Sequence, residues 1–288
     1  MRLVILGGTG MLGHTLWERL SPRFPDTYTI IRKGIGDYGD DRLYGSDRVI
    51  DHIDAMDFRM LEGALRVIRP DVILNCIGIT KRREEPQNPI PSIILNAMLP
   101  HKLVKLAAHV NAKLIHFSTD CVFDGTTGHY SDDAPTNPTD LYGRTKALGE
   151  VTGNNVLTLR SSFIGKEIHD GTELWEWFLS QKDVVRGFKN AIYTGLTTLE
   201  LCHVIEKLLL DYPDASGLYN VSSKPISKFD LLRLIGDKMH IDVEVIPDET
   251  IRCNRSLDST KFRKEFNYTP PTWEAMVEEL SKDITGRE

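Results

Sequence analysis

The sequence predicts an α/β fold, a doubly wound parallel sheet followed by a smaller C-terminal α/β domain. Three observations predict it. Short, almost continuously apolar runs alternate with amphipathic stretches through the first half of the chain, the pattern of strands covered on both faces by crossover helices. A glycine loop, "GGTGMLG", follows the first of these runs. After about residue 160 the alternation becomes irregular and helical patterns outnumber strands.

"RLVIL" (Arg2–Leu6) is the first strand and "MLGHTLWERL" the helix after it. "YTIIRK" (Tyr28–Lys33) and "DRVID" (Asp47–Asp51) are the next two strands. "MLEGALRVIRP" is a helix closed by Pro70, since proline lacks the N–H and the space to continue one. "DVILNCIG" (Asp71–Gly78) is a fourth strand, and "SIILNAMLPHKLVKLAAHV" a long amphipathic helix with a kink expected at Pro100. "AKLIHFST" (Ala112–Thr119) and "NVLTLRSSF" are the fifth and sixth strands. Helices then follow at "ELWEWFLSQK", "TLELCHVIEKLLLD", "KFDLLRLIGDKM" and "WEAMVEELSKD", with strands at "GLYNVS" and "VEVIP". Residues 34–45, 125–140 and 165–171, rich in Gly, Asp and Pro, are loops. The expected division is a dinucleotide-binding sheet domain over 1–160 and a mainly substrate-binding domain over 161–288. The chain crosses back to the first near 190–215, at "NAIYTGLTTLEL".

The 288 residues are 41% hydrophobic and 26% charged, with a formal net charge of −6. Such a balance argues against a nucleic-acid binder, which usually shows a basic face, and leaves room for a local cationic pocket. Cys76, Cys121, Cys202 and Cys253 have no metal-ligand or CxxC spacing and are expected as reduced thiols, with no metal. No leader pattern opens the chain, and no apolar run approaches the roughly 20 residues that span a bilayer. A cytoplasmic protein, monomer or homodimer, with neither membrane nor nucleic acid as partner is the expectation.

Gly7, Gly10 and Gly13 stand where a strand gives way to a helix. Glycines there let the backbone approach a pyrophosphate, and the helix N-terminus turns N–H groups and a positive dipole end toward it. The spacing is GxxGxxG, not the commonest GxGxxG, and its weight comes from this context. An acidic residue about 20 positions on would hold the ribose 2′-hydroxyl of NAD. Here the second strand ends in Arg32 and Lys33, cations suited to a 2′-phosphate. NADPH is therefore the expected cofactor, with NADH possible; the plain alternative is two solvated basic residues. Asp54 is placed to accept from the adenine amine, and Asp57 to cap a helix.

The chemistry gathers further on. Ser118, Thr119 and Asp120 end the fifth strand at the sheet edge where ligands bind in open α/β folds. Tyr142 and Lys146 are four apart and share a helix face. A free phenol titrates near pH 10, about three units too high for neutral-pH catalysis, and an adjacent ammonium favours the phenolate. A strand-end hydroxyl can bind the substrate oxygen. Together with the glycine loop these form a Rossmann-type oxidoreductase constellation.

At this point the chain resembles the extended short-chain dehydrogenase/reductases, and among them the dTDP-4-dehydrorhamnose reductase-like nucleotide-sugar enzymes. The matching pieces are "GGTGMLG", "RPDVILNC", "STDCVFDG", "YGRTKALGE", "LRSSFIG" and "NRSLDSTKF", spread over nearly the whole sequence. The resemblance implies that Tyr142 donates a proton to a C4 carbonyl oxygen. Lys146 would lower the phenol pKa and bind ribose, and Thr119 would hydrogen-bond the carbonyl beside Asp120. Gly10, Met11 and Leu12 would meet the pyrophosphate, Asp54 and Ala55 the adenine, and Gly78, Ile79 and Thr80 the nicotinamide side. Cys121 stands where the family usually has tyrosine, which leaves the sugar open between a dTDP-linked 4-keto-6-deoxy sugar and a UDP-linked 2-acetamido one. Cys121 and the basic Lys81, Arg82 and Arg83 tilt the expectation toward the second. Phe163, Asn190, Thr197, Thr198 and Arg255 are further substrate-site candidates; Trp175 and Trp177 read as core or interface. A 4,6-dehydratase is disfavoured because no carboxylate follows Asp120. An epimerase, and a non-catalytic NADP-binding regulator like the methionine adenosyltransferase β subunit, remain the alternatives.

Overall fold

The computed structural model of the chain describes residues 1–38, 45–81, 88–169 and 171–286. Its strands are β1 (Leu3–Leu6), β2 (Thr27–Ile30), β3 (Val49–Ile50), β4 (Val72–Asn75), β5 (Lys113–Ser118), β6 (Val156–Arg160), β7 (Phe163–Ile164), β8 (Val184–Tyr193), β9 (Leu196–Thr197), β10 (Gly217–Asn220), β11 (Ile226–Ser227) and β12 (Glu244–Asn254). Seven of them form one parallel sheet in the order β10-β6-β5-β4-β1-β2-β3. The order reverses between β1 and β4. That reversal opens a crevice at the strands' C-terminal ends, the place where such sheets bind ligands.

The helices are α1 (Met11–Leu20), α2 (Phe58–Ile68), α3 (Leu99–Val110), α4 (Leu141–Leu148), α5 (Leu174–Leu179), α6 (Thr198–Asp211), α7 (Lys228–Met239), α8 (Thr260–Glu265) and α9 (Trp273–Thr285). Successive strand residues point to opposite faces, so "LVIL" feeds two cores at once. Leu3 and Ile5 pack with Leu16, Ile205 and Met276 from α1, α6 and α9. Val4 and Leu6 pack with Leu61, Leu65, Leu103 and Leu106 from α2 and α3. Both faces are therefore dry, which is why these strands read as continuous apolar runs. Among the described residues no helix is long and apolar enough to cross a membrane.

The structure differs from the sequence reading in three places. β2 stops at Ile30, so Arg32 and Lys33 lie on the loop beyond it. The expected kink appears as a π-helical turn at Ile93–Met98, just ahead of α3. Pro100 has no N–H for the Asn96 carbonyl, and a widened turn absorbs the missing bond. β8 was not foreseen. Its "VVRGFKNAIY" is polar on one side and interrupted by Gly187, a residue that weakens strand propensity. A Cβ on Gly187 would fall 2.7 Å from the Phe229 Cα, so glycine there lets the strand close on α7. β8 anchors a second, three-stranded sheet, β11-β8-β12. The chain returns to the large sheet through α6, which lies against α1, and β10, which pairs with β6 through Asn220.

Candidate active site

Over the switch point lies a cleft of about 750 Å³ lined by Gly7, Gly10, Arg32, Lys33, Gly78 and Ile79 among others. β1 ends at Gly7, whose φ of 81° is the left-handed turn that glycine adopts without strain. The Gly7 carbonyl accepts from the Gly10 N–H at 3.0 Å. A Cβ on Gly13 would sit 2.0 Å from that same carbonyl oxygen, so glycine there lets α1 press against the loop. A Cβ on Gly10 would meet only the Gly7 oxygen, at 3.5 Å, which leaves the other side of Gly10 open to the cleft. The first-turn N–H groups of Met11, Leu12 and Gly13 have no partner within an α-helix, and the dipole end they form faces this cleft.

Arg32 and Lys33 line one rim, and Asp54 and Ala55 the wall beneath it. The Asp54 Oδ1 accepts from the Met56 N–H at 2.9 Å. Asp57 caps α2 through the Arg59 N–H, as its position three residues later suggested. An aromatic pair is among the lining residues that escaped sequence reasoning. Tyr38 and His169 meet with ring centroids 4.8 Å apart, joining a loop of the large sheet to the 165–171 loop. Neither carries a local signal, because the contact spans more than a hundred positions of chain. A dinucleotide fits this donor set: a glycine cradle at a helix N-terminus, an apolar wall and a cationic rim.

The cleft wall at Cys76–Ile79 follows β4, and β4 pairs with β5, whose end carries the next group of residues. Thr119 is in extended conformation and caps the short turn Asp120–Val122, its oxygen accepting from the Cys121 N–H. Its hydroxyl donates to Asp120 Oδ1 at 3.2 Å, and Ser162 donates to the same oxygen at 2.5 Å. Asp140 caps α4 through the Gly143 N–H and pairs with Lys81 at 2.9 Å. That cap fixes the helix that carries Tyr142 and Lys146. Burial pushes the Tyr142 phenol well above its ordinary value, helped by the Cys121 thiol, while a hydrogen bond with Thr119 pulls the other way. The Lys146 ammonium donates to the Phe117 carbonyl at 2.5 Å. Thr119 is thus a hydrogen-bonding partner that favours the phenolate, in addition to the Lys146 ammonium expected one turn along the helix. A phenol that keeps its proton is the form a donor needs.

Asn96 is another residue that sequence reasoning missed. It is fully buried on the π-helical turn. Its Oδ1 accepts from the Ile79 N–H at 2.8 Å, and its Nδ2 donates to the Ile79 carbonyl at 2.9 Å. The same amide reaches Thr145 Oγ1 at 3.2 Å. One side chain thus ties the loop after β4 to α4. The available signal was an asparagine on the apolar side of a helix four residues before a proline.

The substrate-side candidates separate. Arg255 is brought to Cys121, with Nη1 3.6 Å from its sulfur, and Nε donates to the Phe123 carbonyl at 2.8 Å. Burial and Asp120 raise the Cys121 thiol to about 12, with Arg255 opposing. Phe163 is half-buried on β7 and packs on the core. Asn190 instead donates across to the Glu249 carbonyl on β12 at 3.4 Å. Thr197 is fully buried and its hydroxyl oxygen caps α6, a structural use; Thr198 is buried beside it. Thr80 donates to Glu173 Oε1 at 2.8 Å, which introduces a carboxylate that acts on Tyr142. Trp175 lies in the core and Trp177 packs partly buried against it. Arg82 and Arg83 lie outside the described residues.

Burial lowers the Lys146 ammonium from 10.5 to about 8, with Glu150 and Cys76 opposing. Lys113 is lowered to about 8 for the same reason, with Asp214 opposing. The fold therefore releases these protons near pH 8, while the unfolded chain holds them to 10.5. Between those values these two groups hold more protons in the unfolded state, so their contribution to stability rises with pH. The buried thiols Cys76, Cys121 and Cys202 and the buried phenols Tyr142, Tyr193 and Tyr268 are raised. They act in the opposite sense, the thiols once free cysteine titrates, from about pH 8.5, and the phenols from about pH 10. The lysine contribution is therefore read as a difference: from about pH 8 to about pH 9.5 the urea unfolding free energy should change more favourably with pH in the wild type than in the Lys113→Met/Lys146→Met variant. Equal slopes in the two proteins would mean that both ammonium groups are solvated.

Comparison with known proteins follows from this geometry. The family model described as RmlD substrate binding domain matches residues 1–183. The dTDP-4-dehydrorhamnose reductase of Escherichia coli (strain K12) is 25% identical, covering 99% of this chain and 98% of its own. Methionine adenosyltransferase 2 subunit beta of Xenopus tropicalis is 30% identical over 54% of this chain, and the chain spans only 43% of that relative. The crystal structure of dTDP-4-dehydrorhamnose reductase from Bacillus anthracis str. Ames in complex with NADP superposes with a TM-score of 0.81 at 23% identity, covering 98% of this chain and 99% of that one. At that identity the likeness is one of fold.

Proposed function

The chain belongs to the RmlD substrate binding domain family, and from that premise we propose that it is an NADPH-dependent reductase of a 4-keto-6-deoxy nucleotide sugar. The observation that carries the reading is the grouping of Thr119 with Tyr142, whose hydrogen bond joins the end of β5 to α4, and of Lys146 one turn further along that helix. The nicotinamide cofactor, when bound, supplies a hydride to the C4 carbonyl carbon. Tyr142 gives its proton to the carbonyl oxygen, so the ketone becomes an alcohol. Thr119 turns its hydroxyl from Asp120 to that oxygen and holds it in line. The Lys146 ammonium steadies the phenolate until solvent returns the proton, and reaches the ribose.

The glycine loop, Met11, Leu12 and Gly13 hold the pyrophosphate, Asp54 and Ala55 the adenine, and Gly78, Ile79 and Thr80 the nicotinamide end. The sugar lies toward Cys121, Arg255 and the small sheet. A dTDP-linked sugar is supported by the full-length match to the Escherichia coli reductase. A UDP-linked 2-acetamido sugar is the second reading, favoured by Cys121 in place of a bulky aromatic. NADPH oxidation at 340 nm against dTDP-4-keto-6-deoxyglucose and UDP-2-acetamido-4-keto-2,6-dideoxyglucose decides between them. No oxidation with either, in a protein that binds NADPH, moves the chain toward a regulatory role like that of the methionine adenosyltransferase subunit.

Arg32 and Lys33 line the rim where a 2′-phosphate would lie. Replacing both with alanine should weaken NADPH binding by about 10- to 100-fold, the worth of one or two charge-assisted hydrogen bonds. NADH affinity should stay put. Equal loss for both cofactors, in a fluorescence titration, would remove these residues from cofactor selection.

A further inference from the structure

We propose that Tyr193 is a specificity-determining substrate contact whose phenol hydroxyl donates a hydrogen bond to a sugar oxygen beside the Asp120–Ser162 corner of the site. It rests on the proposed function only for the class of ligand, a nucleotide sugar.

Tyr193 ends β8 and is 6% exposed. Its backbone is pinned by antiparallel pairing with Ile226 on β11. Its ring is held from two sides, by the Lys228 ammonium 4.0 Å from the centroid and by the Trp273 ring at 5.5 Å. The phenol is therefore fixed in place. Yet among the described residues its hydroxyl has no hydrogen-bond partner. A buried, rigid, unsatisfied donor destabilises a fold and asks for an explanation. A Cβ on Gly195 would fall 2.1 Å from this phenol oxygen and 2.4 Å from the Ser162 carbonyl oxygen. Glycine at 195 thus makes room for the hydroxyl against the residue whose own hydroxyl holds Asp120.

The same place is reached from the reacting side. The groups that act on the Tyr193 phenol, after its burial, are Asp120, Cys121 and Glu173. These three also act on Tyr142. Two phenols from opposite halves of the chain therefore lie within reach of the same three groups. Asp120 Oδ1 is already accepting from Thr119 and Ser162, and Glu173 from Thr80. A sugar oxygen entering beside these groups is the acceptor that Tyr193 lacks.

The test is Tyr193→Phe, which removes one oxygen and leaves the packed ring. Calorimetry measures dTDP and dTDP-glucose, and UDP and UDP-N-acetylglucosamine, against wild type and variant, with NADPH present. The expected result is a loss of about 10-fold in affinity for a nucleotide sugar that the wild type binds. Affinity for the bare nucleoside diphosphate should be unchanged, and the melting temperature equal or higher. Unchanged sugar affinity overturns the inference, as does an equal loss for sugar and diphosphate with a lower melting temperature. So does a wild type that binds no nucleotide sugar more tightly than its diphosphate. If Tyr193→Phe loses sugar affinity while the wild type oxidises NADPH with neither keto sugar, the reductase reading falls and the Tyr193 contact stands.

Discussion

Tyr142→Phe should lower the rate of keto-sugar reduction by about 10²- to 10⁴-fold, the usual worth of a positioned general acid. The substitution deletes the one proton donor proposed to reach the carbonyl oxygen and keeps the ring that fills the site. NADPH binding should be unaffected, because the glycine loop and the Arg32 rim are distant along the cleft. A drop in kcat with little change in KM is the signature of an interaction made in the transition state. Thr119→Val should give a smaller loss of the same kind, since the hydroxyl orients and polarises without transferring the proton. If Tyr142→Phe retains near-wild-type turnover, the phenol is not the donor and the catalytic reading fails as a whole.

Glu150→Ala should destabilise the fold by about 3–5 kcal/mol, the range for breaking a buried ion pair from one side. Glu150 takes a two-pronged contact from Arg160, at 2.6 and 2.7 Å, and the side chains are 9% and 5% exposed. Glu150 also accepts from Ser118 at 2.7 Å. Alanine leaves the buried guanidinium without a counter-charge, with the Asp132 carbonyl 2.8 Å from Nη1 as its remaining acceptor, and orphans a hydroxyl one residue before Thr119. A Glu150→Leu/Arg160→Met double variant should be far milder, because charge-free packing replaces both partners. Glu150 also holds up the Lys146 ammonium, so the single variant should lower the lysine's titration point further. A loss under about 1 kcal/mol, typical of exposed pairs, would mean that water reaches this pair.

Much of this was legible in the residues. The alternation of β1 to β6 with helices follows from strands that must be apolar on both faces. The glycine spacing predicted the turn at Gly7 and the close approach at Gly13, because only particular backbone angles and clearances require glycine. The two ends of the catalytic corner, Thr119 and Tyr142, could be found because each sits at a fixed place on its own element. What escaped detection depends on distance along the chain. Asn96 acts through a loop and a helix that the sequence keeps apart. Glu173, Tyr193 and His169 come from the second half and reach the site only through folding. Thr197 shows the complementary limit: Ser and Thr at a strand–helix junction serve equally as ligands and caps, and its oxygen caps α6 here. β8 was obscured because a strand exposed on one side carries polar residues, and Gly187 breaks its pattern.

The position of β10 has a consequence for how the protein is made. β10 forms the outer edge of the large sheet, yet it is encoded after the whole of α6. A ribosome releases the chain from its N-terminus, and early segments begin to fold while later ones are still being added. Until Asn220 emerges, β6 presents "VLTLR", an apolar run with open backbone donors and acceptors, along the rim of a six-stranded nascent sheet. Such a rim invites pairing with neighbouring chains on the same message. The interval between the synthesis of Arg160 and that of Asn220 is therefore the period in which the nascent protein most needs a chaperone.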